Sequence, residues 1–237
     1  MLEIIRHLIA ALYLSIVASF GFLYCLLRPF NPSNLYPIAR LVGYTMKIYG
    51  IRLEIDSIER LNAHTPCVFV SNHQSSLDML PCAATVPFRT VSLGKQSIRW
   101  IPFFGQFYWI SGNILINRSN RKKAFASMAK TAKSLKERDI SVWIMPEGTR
   151  NYDNDILPFK RGAFHTAINA KVPIVPVSIS SYSSINLNKF HAGVIMMKVH
   201  DPIDTEKLSS HEIPELTEQV RHTIIGGIRE IDQKIKV

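Results

Sequence analysis

The sequence is poor in cysteine, and its metal-binding side chains are not grouped. Three cysteines are present, Cys25, Cys67 and Cys82, an odd number without the short spacing of a metal site. The eight histidines stand singly, with none at ligand spacing to another histidine. We therefore expect no metal ion and no cofactor, and a reducing, cytosolic compartment.

Acidic side chains are also scarce: 18 Asp and Glu are outnumbered by 28 Lys and Arg, which gives a net charge of +10. Residues 94–171 hold 14 of the basic and 5 of the acidic side chains, a local excess of +9. A solvated basic surface explains part of this, and an anionic membrane or a phosphorylated substrate is a candidate partner for the rest. Nucleic acid is disfavoured, because the aromatic side chains do not alternate with basic ones as a stacking platform requires.

Residues 8–27 form a run of 20 residues without a charge, bounded by His7 and Arg28. As a helix rising about 1.5 Å per residue, the run would span roughly 30 Å, the thickness of a bilayer core. A secretory signal fits less well, because its apolar region has about 7–15 residues and ends at small side chains. A buried core helix is a third possibility. More basic residues follow the run than precede it, which favours a cytosolic body at the cytoplasmic (inner) membrane.

Residues 33–49 predict a second helix with one apolar face, which could lie in the membrane interface. From residue 51 onward, short apolar runs alternate with helical patterns. The predicted strands cover residues 51–55, 67–71, 90–93, 114–117, 142–145, 174–179 and 194–199. The predicted helices cover residues 121–136, 161–170 and 214–236, the last weakened by Gly226 and Gly227. The alternation predicts an α/β fold, with a largely parallel mixed sheet flanked by helices. We therefore predict N-terminal membrane-anchoring helices over residues 1–50 and an α/β domain over residues 51–237.

A histidine and a carboxylate follow the predicted strand 67–71, in Asn-His-Gln-Ser-Ser-Leu-Asp at residues 72–78. A carboxylate can hold an imidazole in one tautomer and stabilise the imidazolium ion. On an ideal helix five positions correspond to about 500°, which would put His73 and Asp78 on different faces. The chain must therefore turn between them, with Asp78 near the start of a helix. Taken alone, the pattern is more often a loop histidine beside a helix-capping carboxylate.

Three more segments break the apolar pattern directly after strands. Residues 112–118 end in Arg118, which is suited to bidentate contact with phosphate. Residues 142–150 run from a strand into Pro-Glu-Gly-Thr-Arg, where Gly148 permits close backbone approach and Arg150 could hold phosphate. Glu147 of the same turn could position a cation or a hydroxyl. Residues 172–177, Val-Pro-Ile-Val-Pro-Val, predict an edge or irregular strand with a structural role only.

In this order, the four segments resemble the four blocks of the glycerolipid acyltransferase family. The blocks are Asn-His-x4-Asp, Gly-x-x-Leu/Phe-Ile-x-Arg, Pro-Glu-Gly-Thr-Arg and Val-Pro-Ile-x-Pro-Val. The resemblance covers roughly residues 40–200, and the apolar run together with residues 94–105 extends it to bacterial members. Each block alone is weakly specific, but four in order at this spacing are strongly specific. Met145 and Asn117 replace a common Phe and Asp, and neither change removes a reactive group.

The resemblance implies an enzyme that transfers a fatty acyl group from a thioester, on acyl carrier protein or coenzyme A, to a lipid hydroxyl. The implied acceptor is the sn-2 hydroxyl of lysophosphatidate, and the product is phosphatidate for phospholipid biosynthesis in the membrane. His73 would take the hydroxyl proton and return it to the leaving thiolate, while Asp78 orients His73. No nucleophile elbow of the Gly-x-Ser-x-Gly kind occurs, which agrees with direct transfer. The implied substrate-binding residues are Arg118, Glu147, Gly148, Thr149, Arg150 and Lys95.

Two alternatives remain open from the sequence. The same catalytic pair could serve another lysolipid or glycerol 3-phosphate as acceptor. A basic, membrane-tethered binding protein would show the same charge and anchor, but it gives no reason for His73, Asp78, Glu147 and Arg150 to stand at strand ends. The acyl-chain length and the choice between acyl carrier protein and coenzyme A are undetermined.

Overall fold

The computed structural model describes residues 1–63, 65–117, 120–151 and 156–236, apart from the side chains of residues 121, 125 and 236. The strands are β1 (Ile51–Asp56), β2 (Val68–Ser71), β3 (Thr90–Lys95), β4 (Ile114–Ile116), β5 (Ser141–Ile144), β6 (Ile174–Ile179) and β7 (Gly193–Val199). The helices are α1 (Leu2–Leu26), α2 (Leu35–Gly43), α3 (Thr45–Tyr49), α4 (Arg60–Ala63), α5 (Met79–Thr85), α6 (Phe104–Ile110), α7 (Arg121–Arg138), α8 (Gly162–Ala170) and α9 (Ile213–Lys236).

Within the described ranges, seven strands form one sheet in the order β1-β7-β6-β2-β5-β3-β4. Every neighbouring pair is parallel except β6 and β7. β1 and β7 therefore run opposite to the other five strands, and β2 to β6 all end at one edge of the sheet. We call this the carboxyl edge. The predicted α/β fold with a largely parallel mixed sheet is confirmed.

The alternation of side chains along the central strands builds two apolar cores, one on each face of the sheet. In β2, Val68 and Val70 enter one core and Phe69 enters the other. Helices α7, α8 and α9 cover the valine face, whereas α1, α2, α3, α5 and α6 cover the Phe69 face. Burying each such side chain contributes about 1.5–3 kcal/mol, so both helical layers are held firmly on the sheet.

The two N-terminal predictions differ in detail from the structure. The apolar run lies inside α1 except for Leu27, the C-cap, and the helix is longer than predicted because it begins at Leu2. The predicted second helix divides into α2 and α3 directly after Gly43, a weak helix former. A Cβ atom on Gly43 would lie 2.7 Å from Ala84, so the glycine lets α2 pack closely on α5.

Residues 172–177 were predicted to form an edge or irregular strand, and the edge alternative is wrong, because β6 lies between β7 and β2. Pro176 fits in this interior position because the ladder with β7 begins one residue later, at Val177. The Pro176 carbonyl accepts a hydrogen bond from the His200 backbone N–H at 3.0 Å, and the N–H that proline lacks is not needed there.

The glycines predicted to weaken the last helix do not interrupt it, since α9 is continuous. A Cβ atom on Gly227 would lie 2.4 Å from the Ser178 hydroxyl oxygen. The glycine therefore serves close packing of α9 on β6, which offsets its low helix propensity.

Candidate active site

Most of the predicted site residues gather at the carboxyl edge because they follow strands that point the same way. His73 follows β2, Lys95 ends β3, and residues 147–150 follow β5. Arg118 follows β4 in the sequence but lies outside the described residues. This edge is where parallel α/β sheets place their ligands.

His73 and Asp78 form a hydrogen-bonded pair, with Nδ1 of the imidazole 2.8 Å from Oδ2 of the carboxylate. Asp78 ends a short 3₁₀ helix, Ser76–Asp78, and stands directly before α5, so the expected turn between the two residues is present. With Nδ1–H donating to the carboxylate, Nε2 keeps its lone pair and can accept a proton. The pair has the geometry of a general base and its orienting carboxylate.

The Asp78 carboxylate is buried and held by the backbone that precedes it. Its Oδ2 atom also accepts hydrogen bonds from the backbone N–H groups of Gln74 and Ser75, both at 2.8 Å. The Ser75 hydroxyl accepts from the Leu77 N–H at 3.2 Å and closes a capping box. A carboxylate fixed by three donors cannot swing away from His73.

Tyr182 is a residue that the sequence did not single out, although it lies just past β6. Its hydroxyl and Asp78 Oδ1 are both buried without an ordinary hydrogen-bond partner among the described residues, and the two groups interact. Burial, and then the neighbouring Asp78 charge, hold the pKa of the Tyr182 phenol well above its usual value. Tyr182 therefore stays protonated, with an O–H available to the free carboxylate oxygen.

The side chains on either side of His73 tie its loop to the end of β6. The Asn72 amide donates to the Ile179 carbonyl at 2.9 Å and accepts from the Ile179 N–H at 2.8 Å. The Gln74 amide donates to the Ser180 carbonyl at 2.7 Å. The sequence assigned no role to Asn72 or Gln74. Their hydrogen bonds fix the loop from which His73 projects.

Glu147 is buried beneath this loop rather than exposed in it. Its Oε1 accepts from the His73 backbone N–H at 2.5 Å, and its Oε2 accepts from the Leu157 N–H at 3.1 Å. Burial raises the pKa of the carboxyl group, and the two backbone donors oppose that rise. Both carboxylate oxygens of Glu147 accept backbone hydrogen bonds, one of them from His73, and the predicted contact of Glu147 with substrate stays a prediction.

A cavity of about 940 Å³ opens beside His73. Its walls are mainly apolar and come from α2, α5, α6 and the sheet. They include Leu35, Ala39, Val42, Met79, Ala83, Val86, Ile98, Phe104, Phe107, Trp143 and Met145. A cavity of this size and lining can hold an acyl chain against a polar reacting centre.

Three cationic side chains also line the cavity: Lys95, Arg150 and Lys160. Gly148 has φ +70°, and a Cβ atom there would lie 2.5 Å from the Lys160 ammonium, so Lys160 lies over the Pro-Glu-Gly-Thr-Arg turn. Gly148 and Thr149 line the same cavity. Lys160 was missed because it stands in a loop outside the four motifs. The cavity thus offers an apolar wall, a base and a set of cations suited to phosphate.

The hydrogen-bonded His-x4-Asp pair lies beside this cavity, and the chain that carries it belongs to the Acyltransferase family. The family model matches residues 52–180, which contain the His–Asp loop and the Pro-Glu-Gly-Thr-Arg turn. The predicted family membership is confirmed.

Relatives with curated names extend the match over almost the whole chain. The 1-acyl-sn-glycerol-3-phosphate acyltransferase of Escherichia coli is 39% identical over 236 residues, which is 99% of this chain and 96% of that protein. The human 1-acyl-sn-glycerol-3-phosphate acyltransferase alpha is 38% identical over 87% of this chain and 74% of that protein. The crystal structure of the 1-acyl-sn-glycerophosphate (LPA) acyltransferase PlsC of Thermotoga maritima superposes with a TM-score of 0.70 at 23% identity. It covers 97% of this chain and 95% of that one, and it supports the fold.

Proposed function

We propose that this chain is a 1-acyl-sn-glycerol-3-phosphate acyltransferase. It would transfer a fatty acyl group from an acyl thioester to the sn-2 hydroxyl of lysophosphatidate and release phosphatidate. The observation that carries the proposal is the His73–Asp78 pair, joined at 2.8 Å beside a cavity that combines apolar walls with three cations. Lysophosphatidate presents the matching pair of features, an acyl chain and a phosphate. The names of the relatives point to the same acceptor.

The reaction follows from the free Nε2 atom of His73. As the lipid hydroxyl attacks the thioester carbonyl, Nε2 takes its proton, and the Asp78 carboxylate stabilises the resulting imidazolium. The tetrahedral intermediate then breaks its carbon–sulfur bond, and the departing thiolate takes the proton back from Nε2. General acid–base catalysis of this kind typically accelerates a reaction by about 10²–10⁴. No acyl-enzyme is needed.

We propose that Arg150, with Lys160 and Lys95, binds the phosphate of the acceptor. Arg150 offers a planar fork that matches two phosphate oxygens, whereas the lysines act as point charges. Gly148 and Thr149 bring the turn close to the ligand. Arg118 keeps its sequence-based assignment as a further phosphate ligand. The acyl donor would be a thioester of acyl carrier protein or coenzyme A, and the exposed lysines of α7 suit either acidic donor.

We propose that α1 attaches the protein to one leaflet of the cytoplasmic membrane. The helix has the length and composition of a membrane span. Yet the body holds it at both ends: Arg6 donates to the carbonyls of Leu187, Lys189 and Phe190, and Gly21 packs on Phe107. A helix packed along its length cannot leave the body to cross a bilayer. Its exposed face can lie in the lipid interface instead, with the active site on the cytosolic side.

We propose a single structural unit, formed by the anchoring helices of residues 1–50 and the α/β domain of residues 51–237. Ala10, Val17 and Cys25 of the first part belong to the same apolar core as Phe69 of β2. Deleting α1 would therefore expose core surface. A sharper test of the anchor replaces the exposed Leu8 and Leu12 with Gln and leaves the buried residues intact. We expect this variant to lose retention on vesicles of phosphatidylglycerol and phosphatidylethanolamine without losing its thermal stability.

The function is tested by incubating the purified chain with one labelled acyl donor and a panel of acceptors. Lysophosphatidate should be acylated well above lysophosphatidylcholine, lysophosphatidylethanolamine and glycerol 3-phosphate. Preference for another acceptor would keep the family and refute the proposed substrate. Absence of transfer to every acceptor, from both acyl carrier protein and coenzyme A thioesters, would refute the function.

A further inference from the structure

A cluster of large apolar side chains is exposed beside α6. This aromatic patch consists of Phe30, Trp100, Ile101, Phe103 and Trp109. Trp100 is 73% exposed and Phe103 is 60% exposed, so the protein's own core gains almost nothing from either ring. Contiguous exposed apolar surface of this kind marks an interaction site.

Contacts within the patch make it one surface rather than scattered residues. The Phe30 and Trp109 rings meet edge to face, with centroids 5.3 Å apart. The Arg99 guanidinium lies over both indoles, 5.0 Å from the Trp100 centroid and 5.7 Å from that of Trp109. The patch thus carries a cation among aromatic rings, the composition of a surface that meets an anionic lipid interface.

The backbone at Phe103 adds a second observation. Phe103 has φ +61° and ψ −55°, and the Phe104 N–H donates to the Pro102 carbonyl at 2.6 Å. This is a γ-turn with positive φ, a rare and strained conformation for a bulky residue. The turn serves the start of α6, because the Phe103 carbonyl accepts a hydrogen bond from the Phe107 N–H at 3.2 Å, and it leaves the Phe103 ring exposed to solvent.

The patch joins two features already described. Phe30 follows α1 closely, and its N–H donates to the Ile110 carbonyl of α6 at 2.8 Å, so the patch continues the exposed apolar face of α1. On its other side, the 3₁₀ segment Gln96–Trp100 also carries Ser97 and Ile98, which line the cavity. The patch therefore connects the membrane-facing helix with the substrate cavity.

We propose that the aromatic patch inserts into the headgroup region of an anionic bilayer and holds the cavity against the lipid. Indole rings favour this region, and Arg99 faces the anionic headgroups. The acyl chain of the acceptor then passes from the bilayer into the cavity beside Ile98 without crossing water. The inference rests on the proposed lipid substrate, and it assigns a membrane contact beyond α1.

The insertion is measured by tryptophan fluorescence on vesicles of phosphatidylglycerol and phosphatidylethanolamine, with phosphatidylcholine brominated near the headgroup. The chain has three tryptophans, and the third, Trp143, is buried in the core. We expect the bromines to quench most of the emission from Trp100 and Trp109. The matched variant Trp100→Phe/Trp109→Phe keeps the patch apolar and should retain only the weakly quenched Trp143. Equal quenching in the two proteins would overturn the proposal.

A kinetic comparison tests the second part. The variant Trp100→Ser/Phe103→Ser should raise the apparent KM for vesicle-borne lysophosphatidate at least about tenfold, and leave the KM for a water-soluble short-chain acceptor unchanged. Ile58→Ser, which alters a residue 51% exposed in the turn after β1, is the control and should change neither value. An equal effect on both acceptors, or on neither, contradicts the proposal. If lysophosphatidate is acylated but the bromines do not quench the tryptophan emission, only the membrane insertion of the patch is refuted. If no acyl transfer occurs, the proposed function is refuted.

Discussion

Replacing Asp78 with asparagine removes one charge from the site and leaves its shape intact. Three N–H groups point at Oδ2 from 2.8 Å: His73 Nδ1, Gln74 N and Ser75 N. An amide nitrogen cannot stand opposite three donors, so the asparagine oxygen must take that place. The amide N–H₂ then falls beside the Tyr182 hydroxyl, which can accept from it. Asp78→Asn should therefore fold normally and keep His73 in its orientation.

The missing charge acts on the imidazolium formed during the reaction. Two unit charges about 4 Å apart interact by roughly 4 kcal/mol at an effective dielectric constant near 20. This corresponds to a loss of about 10³ in kcat, with little change in the KM for lysophosphatidate. Initial rates of thiol release from acyl-coenzyme A measure both quantities, and thermal unfolding checks the fold.

The matched control is Asp139→Asn, which alters an exposed carboxylate in the turn after α7, away from the cavity. It should keep the kcat of the wild type. If Asp78→Asn is folded and retains kcat within about tenfold of the wild type, the charge of Asp78 does not stabilise His73, and the general-base argument fails.

Three further predictions concern binding, positioning and stability. Arg150→Ala should raise the apparent KM for lysophosphatidate at least about tenfold by removing a bidentate phosphate contact, while the control Arg52→Ala on β1 should leave this KM unchanged. If the KM of Arg150→Ala equals that of the wild type, Arg150 does not bind the phosphate. In Glu147→Gln, the amide nitrogen must face the N–H of either His73 or Leu157, and this buried mismatch costs about 1–3 kcal/mol. The thermal unfolding midpoint of the variant should therefore be lower than that of the wild type, and its kcat should fall more than its KM rises. Burial, and then the Lys198 charge, lower the pKa of His200 to about 4, so protons bind the unfolded chain first as the pH falls below about 6.5. The urea midpoint should therefore decline between about pH 6.5 and 4, less steeply in His200→Gln, and identical profiles would contradict the shift.

The sequence predicted the elements of the fold well where local pattern and tertiary context agree. The short apolar run of β2 predicts a buried strand, and the long run without charges predicts the helix α1. The interior position of β6 could not be predicted, because its prolines argue for an edge. Only the pairing of β7 from Val177 onward shows that the absent N–H of Pro176 is harmless. The continuity of α9 through Gly227 depends in the same way on a neighbour, Ser178, distant in the sequence.

At the site, the sequence predicted that His73 and Asp78 lie close together, but not which residues hold them there. His73 and Asp78 are close in the chain, so their spacing alone required the turn that is present. Glu147 and Tyr182 act through contacts with residues 74 and 104 positions away in the chain, which no local pattern reveals. The sequence predicts a substrate contact for Glu147, and that stays a prediction, whereas the hydrogen bond between its carboxylate and the His73 backbone is visible only in the structure.

The central claim is that His73 removes the proton of the acceptor hydroxyl in a direct transfer. Its most direct test is mass-spectrometric measurement of phosphatidate formed from lysophosphatidate and a labelled acyl thioester by folded, vesicle-bound His73→Ala, compared with the wild type. We predict abundant labelled phosphatidate from the wild type and none above background from the variant. Near-normal phosphatidate formation by His73→Ala would contradict the account.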